Sequence, residues 1–76
     1  MSTTQFHVMA DRQGWRVERD GELLSEHQTQ DGAASVARLR AQADPPAEVR
    51  VHGADGEVHS SSVYLAEPFP KRPTDS

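Results

Sequence analysis

The chain contains no cysteine. That excludes disulfides, thiolate nucleophiles and every cysteine-based zinc or iron–sulfur centre, and it fits a reducing compartment, with the cytoplasm as the expected location. Aromatic residues are scarce: one Trp, one Tyr and two Phe, too few for a base-stacking platform. No apolar run approaches the ~20 residues of a membrane helix. The opening Met1-Ser2-Thr3-Thr4-Gln5-Phe6-His7 lacks the basic and hydrophobic segments of a secretion signal, so no membrane contact is expected. Also missing are a Gly-rich phosphate loop, a G-x-S-x-G elbow and an H-E-x-x-H helix. Ser60, Ser61 and Ser62 follow His59, but neighbours on a strand face opposite sides and no carboxylate is apparent to orient the imidazole. A chain of 76 residues also has little room for a substrate pocket beside its own core. The expectation is a protein without enzymatic activity and without a cofactor.

What is present reads as one small domain. Twelve acidic against eight basic side chains give a formal charge of −4, which opposes non-specific attraction to nucleic acid. Residues 1–4 are polar and expected to be disordered. Phe6 and Val8 alternate with His7, the two-residue period of a half-buried strand. Asp11-Arg12-Gln13-Gly14 is turn chemistry, after which Trp15 and Val17 alternate with Arg16 and Glu18 as a second strand. Asp20-Gly21 marks another turn, and Leu23 and Leu24 read as an arm over the core rather than as a settled strand. Thr29 is the expected helix N-cap, with Asp31 in the first turn where negative charge suits the helix dipole. Ala33, Val36, Ala37, Leu39 and Ala43 supply the apolar stripe. Asp44-Pro45-Pro46 ends the helix, because neither proline donates the next hydrogen bond. Val49 and Val51 then alternate with Arg50 and His52, and Gly53-Ala54-Asp55-Gly56 is the strongest hairpin signal in the chain. The last strand starts near Glu57 with Val58 inward, and Val63 and Leu65 break parity with Val58, which predicts a bulge or an early end.

The expected architecture is α+β, in the order ββαββ: one roughly four-stranded, mainly antiparallel sheet with a single helix on its apolar face. Residues 5–66 form this domain, with Trp15 as a core anchor, and residues 67–76 form a Pro-rich extended tail in which Phe69 docks.

Phe6-His7-Val8, Gly14-Trp15-Arg16-Val17, Thr29 before the helix, Val51 to Val58 with its His52-Gly53-Ala54-Asp55-Gly56-Glu57 centre, Tyr64 and Pro68-Phe69-Pro70 occur in one order. This ordered set resembles the bacterial domain-of-unknown-function family 2188, over nearly the whole chain. Gly32, where members usually carry a helix-favouring acidic residue, and the pair Pro45-Pro46 depart from the family pattern and bear on helix length. The resemblance implies a small ββαββ module. It implies no activity and brings no catalytic residues.

The candidate binding face follows from strand alternation: His7, Arg16, Arg50, His52 and His59 all fall on the side away from the apolar residues. A turn at Asp55-Gly56 sets His52 directly opposite His59, whereas a turn at Ala54-Asp55 sets them diagonally. That pair is the only suggestion of a metal site, and it lacks a specific spacing signature. His7 could join it only if the first strand neighbours the one that carries His52. The leading functional expectation is a binding module acting through protein–protein contact, self or other, with a homodimer as the simplest form. The alternative is a nucleic-acid-binding accessory protein that uses Arg16, Arg50 and the adjacent histidines, a reading the acidic net charge disfavours.

Overall fold

A computed structural model describes residues 3–65. The chain runs through β1 (Thr4–Asp11), β2 (Gly14–Arg19), β3 (Glu22–His27), α1 (Gln30–Ala43), β4 (Ala47–His52) and β5 (Val58–Tyr64). The strands form one mixed sheet of five, in the order β3-β2-β1-β4-β5. The arm at Leu23 and Leu24 is therefore a full edge strand, and the sheet has five strands where the sequence suggested about four. Leu24 falls at a register shift against β2, where a bulge turns its side chain onto the core. All neighbours are antiparallel except β1 and β4, which pair in parallel with Phe6 beside Val49 and His7 beside Arg50.

Alternation builds the dry side as expected. Phe6, Val8, Val17, Val49 and Val51 are buried, and half-buried Trp15 and Tyr64 pack against them. Helix α1 lies over β1, β2 and β4 and reaches β3. Its N-cap is Thr29, whose hydroxyl accepts from the Gly32 amide at 3.0 Å, and its C-cap is Asp44 just before the prolines. No helix of the described residues is long and apolar enough to cross a membrane.

The helix stripe differs from the sequence expectation. Ala33, Ala34, Ala37 and Ala41 are the buried positions, while Leu39 is 66% exposed and Ala43 is exposed. The cause is rotation. At ~100° per residue, Leu39 stands about 200° around the helix from Ala37, whereas Ala33 and Ala41 lie within one narrow arc of it. A stripe of methyl groups lets the helix axis approach the valine-covered sheet closely, which a leucine at the same positions would prevent.

Strand β5 also differs from the sequence expectation. Val58 is 49% exposed and stands opposite His52 on the wet side, not inward. The hairpin closes on a three-residue loop: the Gly56 amide donates to the Gly53 carbonyl at 2.9 Å and the Gly53 amide to the Glu57 carbonyl at 2.8 Å, with Gly56 at φ 88°. An odd loop reverses the parity that a two-residue turn would impose. The expected bulge then follows immediately, because Val51 pairs with Ser60 and leaves His59 as the extra residue.

Candidate functional site

The side of the sheet turned away from α1 is the site that the sequence nominated. β1 contributes His7 and Met9, β2 contributes Arg16 and Glu18, and β4 contributes Glu48, Arg50 and His52. Val58 and Val63 border this face on β5, and Leu23 borders it on β3. Among the described residues, nothing forms a second layer over it.

His7 lies at its centre, on the middle strand of the sheet. Parallel pairing sets Arg50 beside it, and the residue two further along β4 is His52. The two rings meet: His7 Nδ1 and His52 Nε2 are 3.1 Å apart, with ring centroids 5.3 Å apart and the planes tilted by 33°. The other nitrogen of His52, Nδ1, lies 3.1 Å from the Gly56 carbonyl oxygen. A carbonyl only accepts, so His52 Nδ1 bears the hydrogen, and in the neutral ring Nε2 is an acceptor. His7 Nδ1–H must then be the donor, and His7 Nε2 keeps a free lone pair. Desolvation by burial, followed by the neighbouring His52 and Arg50, lowers the His7 pKa below its ordinary 6.5, against the pull of Glu18 and Glu48. The lowered pKa favours the uncharged ring that this arrangement requires.

Both arginines of the nominated face are already engaged. Arg16 Nη2 is 2.8 Å from Glu18 Oε2, and Arg50 Nε is 3.1 Å from Glu48 Oε2. Each pair spans two positions of one strand, which puts both partners on the same face. The Arg16 Nε atom is buried and finds no partner among the described residues. Arg16 also borders a shallow polar depression with Asp11, Arg12, Gln13 and Glu26, which is too open to enclose a substrate.

His59 does not join this group. As the bulged residue, it lays its ring over Gly53, where a Cβ would overlap it; alternation puts that side of the strand opposite His52. Its Nε2 is 3.4 Å from Asp55 Oδ1. The Asp55 carboxyl is held below its usual pKa, first by the Glu57 amide it accepts from and also by His59. The structure therefore brings His7, Arg16, Arg50 and His52 together and sends His59 elsewhere, so the His52–His59 pairing is replaced by His52–His7. Phe69 lies outside the described residues.

Two features escaped sequence reasoning. Gln30 Nε2 donates to the His52 carbonyl at 3.1 Å, which ties the helix start to the end of β4. Ser25 Oγ is 2.8 Å from His27 Nε2 on edge strand β3. The period-two spacing of Ser25 and His27 could have suggested this contact; among the described residues, no hydrogen bond or ion pair joins a carboxylate to the His27 imidazole. Among the described residues, no three ligand-type side chains are grouped closely enough to enclose a metal ion.

These features define a class: a small two-layer α+β domain with one sheet face under a helix and the other bare among the described residues. Residues 6–64 match the family described as "Uncharacterized protein conserved in bacteria (DUF2188)", and the chain belongs to that family. Comparison with curated proteins and with solved structures found no match.

Proposed function

We propose that this domain is a non-enzymatic binding module of the bacterial cytoplasm that engages protein through the open face of its sheet. A second copy of the chain is the partner that this face fits best. The observation that carries the reading is the pairing of Arg16 with Glu18 and of Arg50 with Glu48 across a face whose margins expose Leu23, Val58 and Val63. A face with both charge signs side by side can meet its own copy with arginine opposite glutamate. The same pairing argues against a polyanion, which needs unneutralised cations.

Five strands at ~4.8 Å spacing and about six residues long cover roughly 450–500 Å². A stable complex buries ~800 Å² per partner, so the association is weak and concentration-dependent. Sedimentation equilibrium from low to high micromolar protein should show a monomer–dimer shift. Val63→Lys, which stands opposite Glu48 and leaves the monomer intact, should weaken it. A strictly monomeric chain at the top of that range overturns self-association. A salt-sensitive mobility shift with DNA or RNA at low ionic strength would favour the nucleic-acid reading instead.

A further inference from the structure

We propose that His7 and His52 form a two-imidazole chelate for a divalent transition-metal ion of the zinc or copper(II) kind. Two nitrogens 3.1 Å apart subtend roughly 100° at an ion held ~2.0–2.1 Å from each. That angle lies between a right angle and the tetrahedral one, so it serves either ion. At that angle each lone pair must point about 40° off the line between the two nitrogens, so both rings turn out of their hydrogen-bonded alignment to meet at a shared point.

Metal-ligating histidines donate their remaining N–H to a carbonyl or carboxylate, which fixes the tautomer and the ring direction. His52 already does this through Nδ1 to Gly56 O, so its Nε2 lone pair, which accepts from His7 in the metal-free chain, turns to the ion when that hydrogen bond is given up. His7 becomes a ligand by moving its hydrogen from Nδ1 to Nε2, with no net proton released.

The pair is mounted on β1 and β4, adjacent strands in the interior of the sheet, which limits the entropy lost on binding. The four charged groups around it, Arg16, Arg50, Glu18 and Glu48, cancel as two ion pairs, so no net positive field repels the ion. The remaining coordination positions open on the bare face, where water or an external ligand completes the shell.

This inference stands without the partner reading above. The test is calorimetric titration of the chelator-treated full chain with zinc sulfate and, separately, copper(II) chloride. Binding should saturate at one ion per chain, or at one per two chains if copies share it. His7→Gln and His52→Gln should each weaken it by about tenfold or more, while His59→Gln and His27→Gln should leave it within about twofold. In the unmutated protein, the imidazole NMR signals of His7 and His52 should respond before those of His27 and His59. Absence of binding by both ions overturns the proposal. So does equal sensitivity to His59→Gln, or a simultaneous response of all four imidazoles.

Discussion

On the helix side of the sheet, Phe6, Val8, Val17 and Val49 are at most 1% exposed and face a layer of alanines. On the other side, one residue along in each strand, stand His7, Glu18 and Arg50, held to their neighbours by hydrogen bonds and ion pairs. The first side is stabilised by burial, which is non-directional and amounts to about 25 cal/mol per Å² of apolar area. The second gains little net stability, because exposed ion pairs contribute only ~0–1 kcal/mol each. It does gain fixed orientations, which are what recognition needs. Burial and fixed side-chain geometry thus occupy opposite sides of a single layer of backbone.

The largest expected effect breaks the dry side. Phe6→Ala should destabilise the domain by about 3–5 kcal/mol in denaturant unfolding, close to the whole stability of a chain this short. A loss under ~1 kcal/mol would show that the core lies elsewhere. Next comes the helix interface. Ala37→Leu adds three carbons to a fully buried position and should cost about 1–3 kcal/mol through overpacking. Leu39→Gln, on the exposed flank of the same helix, should stay within about 0.5 kcal/mol. Equal effects at the two positions would contradict the observed stripe.

The smallest effect probes the wet side through pH, in chelator-treated protein. The His7 pKa is lowered on folding from 6.5, so the unfolded chain takes up the proton first as pH falls. Stability is therefore full above about pH 6.5 and declines as pH falls through that value toward the folded-state pKa. The groups facing His7 are His52, Arg50, Glu18 and Glu48. His7→Gln should flatten this part of the stability–pH curve, and an unchanged slope would show that another group carries it.

The dry side was legible in the sequence because its signal is local. Phe6, Val8, Trp15, Val17, Val49 and Val51 announce their orientation through the residues immediately beside them. Thr29 and Pro45 did the same for the helix ends. Leu39 misled because hydrophobicity outweighed angle: the interface selects small residues, and alanine is a weak marker of burial. Val58 and His59 misled because a turn of three residues rather than two reverses side-chain parity, and the bulge at His59 restores it only from Ser60 onward; the parity break at Val63 predicted a bulge or an early end without fixing its position. The His7–His52 contact was out of reach for a different reason. It depends on which strands are neighbours, and alternation within one strand says nothing about that.

The parallel pairing of β1 with β4 has a consequence for how the chain assembles. Every other strand pair is a hairpin whose halves are adjacent in sequence and can close early. Phe6 and Val49, by contrast, are roughly forty positions apart, and closing so long a loop carries an entropic penalty that local contacts avoid. The three-strand meander of β1 to β3 and the hairpin of β4 and β5 each rest on local pairings alone. Neither is a finished domain until they join along a single seam, and the imidazole pair lies across it.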